Sequence, residues 1–272
     1  MIEPMSLERC DVFVLAAGRG ARLRPLTDTI PKALVPVGGK PLIAWNLELL
    51  ARAGSKRVII NLCYLGDQIR DYVNDGSRFG VEVVYVVEEQ LLDTGGSIKN
   101  IEDLLRHDQL FTINSDVLVG PEFSPGAVLA AHRSNLSHAD LSQRWATMVL
   151  RNDPAVEEYG ALVVDRSGRI VEFLGEQSPH YKTPLSQATN AGPDAYARMM
   201  FCGIQVLERS ILDRMPPKGG VFSITRDTER KLVGEGELLC GFEYSGYWND
   251  VGTPDRLAQA SNDISRIFPQ GG

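Results

Sequence analysis

The first half of the chain repeats one pattern, a short apolar run followed by a helix-like stretch, and this alternation restricts the fold more than any other feature. The run from Asp11 to Gly18 (DVFVLAAG) is apolar at consecutive positions, as a strand buried on both faces requires, and it ends in glycine. Pro41 to Ala53 has helical periodicity, with Pro at its start and Gly54 just past its end. Arg57 to Leu62 reads as a second strand, Asp67 to Val73 as a helix and Val81 to Val87 as a third strand. Thr94 is placed to cap a helix whose apolar stripe is Ile98, Ile101, Leu104 and Leu105, and Leu110 to Asn114 is a fourth strand. Strands separated by single helices predict an α/β fold with a doubly wound, mostly parallel, Rossmann-like sheet.

The rhythm changes after Asp116. Trp145 to Arg151 and Ala161 to Val164 read as strands, and Asp165 to Arg169 as a turn into Ile170 to Leu174, which predicts an inserted β-hairpin. Ser178 to Arg198 is rich in polar residues, Pro and Ala, and is expected to be a long loop. Met199 to Leu207 is a further strand. Ser223 to Val233 and Pro254 to Ile264 are expected to be helical, with a strand at Leu238 to Tyr244 between them. A single domain over 1–272 is expected, with 11–120 forming a nucleotide-binding half and 121–272 an acceptor-binding half with a C-terminal helix.

The charge balance narrows the ligand. A net charge of -7 argues against a general nucleic-acid binder. No stretch is apolar for long enough to span a membrane, and nothing near Met1 reads as a secretory signal, so a cytoplasmic protein is expected. The four cysteines, Cys10, Cys63, Cys202 and Cys240, are scattered without a CxxC pair, which predicts reduced thiols rather than a zinc site. One stretch runs against the acidic balance. Arg19, Arg22, Arg24, Lys32 and Lys40 lie between Gly18 and Lys40 with only Asp28 opposing them, as a site for a small, highly charged anion requires.

That island begins where the first strand ends, in Leu15-Ala-Ala-Gly-Arg-Gly-Ala-Arg-Leu-Arg-Pro25. Glycines there allow backbone N–H groups to approach a phosphate. A dinucleotide fingerprint is excluded, because Leu23 stands where its third small residue belongs and no acidic residue follows at the right distance. A P-loop is excluded too: Gly39-Lys40 is followed by Pro41, and Leu34 occupies the first glycine position.

The stretch LAAGRGARLRPLTDTIPKALVPVGGKPLI resembles the signature of the sugar 1-phosphate nucleotidyltransferases, in particular the mannose and heptose 1-phosphate guanylyltransferases and the N-acetylmuramate 1-phosphate uridylyltransferases. Further matches follow in order: Gly76 to Gly80, Glu88, Asp93 to Gly96, Asn114-Ser115-Asp116, Tyr159-Gly160, Gly168 to Ile170, Glu176, and Gly246 to Pro254. The resemblance implies that Arg22, Lys32 and Asp116 are catalytic. It implies that Leu15, Ala17, Gly18, Gly20, Glu88, Thr94 and Gly95, with Arg22 and Asp116, bind the nucleotide. Gly160, Glu176 and Asn114 would hold the sugar, and Asp116 and Asp250 a Mg²⁺ ion.

The expected partners are an NTP and a sugar 1-phosphate, without nucleic acid or membrane; a homo-oligomer is compatible with this. The late GYW-x-D-x-GTP form favours GTP over UTP. A carboxylate at Glu88 accepts the N–H groups of guanine or uracil and suits adenine less. Two departures stand out: Gln177 where many relatives have Lys, and Ala33 where Pro is frequent after the lysine. Gln177 and Ser115 are the support for an alternative, a non-catalytic protein that senses NDP-sugars. A glycosyltransferase with an NDP-sugar donor shares the sheet, but those enzymes usually carry Asp-x-Asp at the strand edge, where this chain has Asn114-Ser115-Asp116.

Overall fold

A computed structural model describes residues 5–134, 144–180 and 196–268. In chain order the strands are β1 (Asp11–Leu15), β2 (Pro36–Val37), β3 (Lys40–Pro41), β4 (Arg57–Leu62), β5 (Glu82–Val87), β6 (Gln109–Asn114), β7 (Val117–Val119), β8 (Arg144–Arg151), β9 (Ala161–Asp165), β10 (Ile170–Phe173), β11 (Glu176–Gln177), β12 (Tyr196–Glu208), β13 (Leu238–Glu243) and β14 (Trp248–Asp250). The α-helices are α1 (Leu42–Arg52), α2 (Gly66–Val73), α3 (Asp93–Asn100), α4 (Pro125–Ser134), α5 (Val156–Tyr159), α6 (Arg230–Gly234) and α7 (Pro254–Ile267).

Contacts divide the described residues into two compact units that interleave along the sequence. The first is built from the segment ending at Leu91, Leu105–Gly126 and the segment from Gly246 onward. Its sheet has the order β6-β1-β4-β5 with every pair parallel, in the register Leu15↔Asn114, Val14↔Ile60 and Ile60↔Tyr85. The consecutive apolar positions of β1 and β4 are buried on both faces, as parallel strands in an α/β layer must be.

A second cluster in this unit joins Leu23, Val35, Val37, Leu42, Trp45, Leu118, Val251 and Ala260. It packs the basic loop against α1, β7, β14 and α7, so a segment without long secondary structure is still anchored in a core. The Trp45 indole N–H donates to the Val37 carbonyl at 3.2 Å. Gly38 lies in the left-handed region at φ 61°, where a Cβ would collide with Ile264.

The other unit is built from Leu92–Leu104 and Ala127–Ser245. Its strands run β11-β10-β9-β12-β8-β13, antiparallel except that β13 runs parallel to β8. The expected hairpin is present as β9 and β10, within a larger sheet than the hairpin alone. The fold is mixed α/β with a parallel Rossmann-like sheet.

Several local expectations change. Thr94 is not the cap of α3: the helix starts at Asp93, and the Thr94 hydroxyl instead accepts from the Ile224 N–H at 3.1 Å. The segment expected to be helical from Ser223 is a π-helical turn, Ile224–Glu229, continued by α6. Of the long polar stretch 178–198, residues 181–195 lie outside the described residues, and Tyr196 already belongs to β12. Among the described residues, β2, β3, β7, α4, α5, β11 and β14 were not anticipated. Among the described residues no helix is long and apolar enough to cross a membrane. Cys10, Cys202 and Cys240 are buried thiols, whereas Cys63 is half-buried.

Candidate active site

In the parallel-sheet unit, β1 ends at Leu15 and the chain then passes through Ala16 and Ala17 into Gly18, which is exposed. A Cβ at Gly18 would meet nothing within 4 Å, so neither packing nor a left-handed backbone demands glycine there. The space beside it is open for something to approach the main chain. Gly20 differs. Its φ is 63°, and a Cβ would lie 3.0 Å from both Lys32 and Thr27. Glycine at 20 therefore brings the turn against the base of the Lys32 side chain, and the Thr27 hydroxyl locks it by donating to the Gly20 carbonyl at 2.8 Å.

From Gly20 to Leu34 the loop is a series of short 3₁₀ turns, Ala21–Leu23, Leu26–Asp28 and Lys32–Leu34. Tyr64 and Gln68 tether it from outside. The Tyr64 hydroxyl donates to the Thr27 and Asp28 carbonyls, at 3.1 and 3.3 Å, and the Gln68 amide to the Thr29 carbonyl at 3.0 Å. The basic island then divides by partner. Lys40 turns to Glu48 (2.8 Å) and the face of Trp45 (3.9 Å to the ring centre), and Arg24 pairs with Asp28 at 3.0 Å. Arg22 and Lys32 turn to two other carboxylates.

Lys32 Nζ bonds Asp116 Oδ2, with both side chains mostly buried. Asp116 follows β6 at the carboxyl edge of the parallel sheet, where the Leu15 carbonyl accepts the Ser115 N–H at 3.0 Å. The Asn46 amide donates to the Ser115 carbonyl at 3.2 Å and fixes the turn from α1. Asp250 comes from more than a hundred residues later but pairs with Val117 across the β7–β14 ladder. The Val251 N–H donates to the Asp116 carbonyl at 2.9 Å. The two carboxylates are thus brought side by side by backbone pairing.

Arg22 approaches Asp250 Oδ2 to 3.9 Å while staying largely exposed. Burial first, and then the Asp116 charge, push the Asp250 carboxyl above its ordinary range, and Lys32, Arg22 and Arg256 pull it down. Its second oxygen, Oδ1, is sealed from solvent without a hydrogen-bond partner among the described residues. Two adjacent carboxylates, one with an unsatisfied oxygen, suit a hard divalent cation whose remaining ligands are phosphate oxygens and water. Among the described residues no group of three or more His, Cys, Asp or Glu forms a self-sufficient metal cage.

At the same sheet edge, Glu88 follows β5 and is 4% exposed. Asn61, the buried polar residue of β4, bridges β1 and β5: its Oδ1 accepts the Ala16 N–H at 2.7 Å and its Nδ2 donates to Glu88 Oε1 at 2.8 Å. Cys63 stands nearby. Burial first, then Glu88, push its thiol up, while Arg19 acts in the opposite direction.

The remaining expected residues distribute as follows. Leu15 and Asn114 sit opposite each other across β1 and β6, in the unit that also holds Ala17, Gly18, Gly20, Arg22, Lys32, Glu88, Asp116 and Asp250. Thr94, Gly95, Gly160 and Glu176 belong to the antiparallel unit. There the Gly95 and Gly96 N–H groups both donate to the Phe222 carbonyl, at 2.9 and 3.0 Å, and a Cβ at Gly95 would lie 2.5 Å from the Phe222 ring. Gly160 has φ 88° and packs under Leu174, and Glu176 pairs with Arg230 at 3.3 Å.

Sequence reasoning missed Asn61, Asn46, Thr27 and Tyr64. Only Asn61 carried a signal, as one amide inside the apolar run RVIINL.

Residues 12–267 match the family described as nucleotidyl transferase. The chain is 33% identical over 263 residues to a mannose-1-phosphate guanylyltransferase of Mycobacterium tuberculosis, covering 96% of this chain and 66% of that protein. It therefore spans just under two-thirds of that relative's length. It is also 33% identical over 249 residues to an N-acetylmuramate alpha-1-phosphate uridylyltransferase of Neisseria meningitidis serogroup B, covering 91% of this chain and 95% of that one. The fold is similar to that of HddC from Yersinia pseudotuberculosis, with a TM-score of 0.70 at 23% identity, covering 94% of this chain and 99% of that one.

Proposed function

Because the chain belongs to the nucleotidyl transferase family, we propose that it transfers a nucleoside monophosphate from an NTP to a sugar 1-phosphate, releasing pyrophosphate and leaving an NDP-sugar. The supporting observation is the convergence of Lys32, Asp116, Arg22 and Asp250 beside the glycine turn that leaves β1.

The reaction is an attack by a sugar phosphate oxygen on the α-phosphorus. The bond to that oxygen forms, the α–β anhydride bond breaks, and its electron pair leaves with pyrophosphate. The attacking oxygen belongs to a phosphate already ionised at neutral pH, so no side chain need remove a proton. Anions must be gathered and held in line, and this is work for fixed positive charge and backbone N–H groups rather than for a base.

Arg22, exposed and planar, is assigned to the triphosphate, where it can make two parallel hydrogen bonds. Lys32 is assigned to the phosphates that react; its stem rests against Gly20, so its charge is placed before substrate arrives. The open main chain at Gly18, with Leu15 and Ala17 before it and the Gly20 turn after it, is assigned to the nucleotide. Asp116 and Asp250 would hold Mg²⁺, which when bound supplies positive charge to the phosphates and favours pyrophosphate departure. Asn114, Gly160 and Glu176 are assigned to the sugar, and Glu88, Thr94 and Gly95 to the nucleoside.

GTP is the favoured donor and UTP the competing one. The relatives at equal identity carry one name of each kind, and the GYW-x-D-x-GTP segment tips the assignment toward GTP. The deciding experiment incubates the protein with each NTP, Mg²⁺ and a panel of sugar 1-phosphates, and follows pyrophosphate. Release with GTP, or with UTP, in step with NDP-sugar supports the assignment. Silence across the panel removes it.

A further inference from the structure

Asn61 occupies an unusual position for an amide, 2% exposed near the carboxyl end of β4, with β1 on one side and β5 on the other. Its orientation is fixed by chemistry. The Ala16 N–H can only donate, so the atom 2.7 Å from it must be the amide oxygen, which leaves the amide nitrogen facing Glu88 at 2.8 Å. Whatever stands at position 88 must therefore offer an acceptor to Asn61. Glu88 does so with Oε1. Its other oxygen, Oε2, is buried and has no hydrogen-bond partner among the described residues.

A buried acceptor left unmatched is costly, because it has lost its water without gaining a partner. The cost is removed when a ligand brings an N–H. The missing partner defines the complement: a group able to bring a donor to Oε2. A base with an N–H in its pairing edge, such as guanine or uracil, has that donor, and adenine presents a ring acceptor there instead.

We propose that Asn61 is a positioning residue that locks Glu88 with one carboxylate oxygen directed to the nucleobase, and so sets the preference for bases bearing a ring N–H over adenine. This rests on the nucleotidyl-transfer assignment, which makes an NTP the ligand of this sheet edge. Asn61 itself touches no substrate; it determines which atom of residue 88 does.

The test uses amide orientation as the readout. In Glu88→Gln the substituted amide must give its oxygen to Asn61 and turn its NH₂ outward, so the donor and acceptor toward the base exchange. In the double variant Asn61→Asp with Glu88→Gln, the aspartate still accepts from Ala16 but now needs a donor. The substituted amide turns round and presents its oxygen outward again.

Dissociation constants of GTP, UTP and ATP, measured by calorimetry on the full chain with Mg²⁺, should separate these states. Wild type should bind GTP or UTP about tenfold or more tightly than ATP, as expected for one buried acceptor matched or unmatched. Glu88→Gln should abolish or reverse that ratio, and the double variant should restore most of it. A residue that merely supports the fold would not give recovery on a second substitution.

The inference is overturned if wild type does not discriminate, or if Glu88→Gln keeps the wild-type ratio. It is equally overturned if a folded double variant is no more selective than the single one. Should the double variant fail to fold, Glu88→Gln alone decides, because an amide not held by Asn61 would turn its oxygen outward and keep the wild-type preference. Pyrophosphate release is followed separately. Selective binding without turnover would count against the reaction and leave the positioning role standing, and turnover without base selectivity would do the reverse.

Discussion

At the scale of single residues, Gly252 links the two halves of the charge cluster. A Cβ there would lie 2.4 Å from Asp250 Oδ1 and 2.6 Å from Arg22 Nη2, so the close approach of Arg22 to Asp250 exists only because position 252 has no side chain. Gly252→Ala should leave the fold intact, as judged by circular dichroism, and lower kcat by about tenfold or more through misplaced charge. An unchanged kcat would show that the Arg22–Asp250 geometry is not used. Glu176→Ala should raise the KM of the sugar 1-phosphate more than that of the NTP, and equal effects on both would argue against a sugar-facing role. The candidate cluster, rather than its chemistry, was legible in the order of residues. Arg22, Lys32, Asp116 and Asp250 stand in recognisable segments, and the structure brings all four into one unit. Asn61 and Gly252 were not legible in these roles, because their importance lies in what stands beside them in space rather than along the chain.

At the scale of elements, the basic loop is held by its own short turns and, between them, by its neighbours. Tyr64 fastens it by donating to two carbonyls, and the cluster around Trp45 fastens its far end. The helix α7 completes that cluster, and its start is set by Thr253, whose side chain accepts the Arg256 N–H with Pro254 in the first turn. Thr253→Ala should cost about 1 kcal/mol in urea unfolding; no change would mean that the cap is not what starts the helix. β1, β4 and β6 were readable because burial on both faces forces consecutive apolar residues, and the edge strand β5 because its run of β-branched residues favours a strand. β7 and β14 were not readable. Each is three residues long, and their pairing joins segments separated by more than a hundred positions. No local periodicity marks such a ladder, yet it is this ladder that sets Asp250 beside Asp116. The π-helical turn at Ile224–Glu229 was similarly hidden, since its apolar pattern differs little from that of an α-helix over six residues.

At the scale of the whole molecule, stability should carry a pH signature from Glu229. Burial pushes its carboxyl up to about 8, opposed by the Gln205 side chain beside it. Between its ordinary value of 4.5 and about 8 the folded chain holds one more proton at this position than the unfolded chain. Its contribution to stability is therefore fully present below 4.5, falls as pH rises through that window and is lost above it. Glu229→Gln should flatten the dependence and make the protein more stable than wild type at pH 9, measured by urea unfolding at a series of pH values. Parallel curves for the two proteins would contradict this. The proposed function rests on positive charge and carboxylates gathered beside one glycine turn, and it is tested most directly by kcat in Arg22→Ala and Asp116→Ala, each compared with wild type after folding is verified. Each variant is expected to lose about a hundredfold or more in turnover. Near-native rates in either one would contradict the assignment of the phosphate chemistry to this place in the fold.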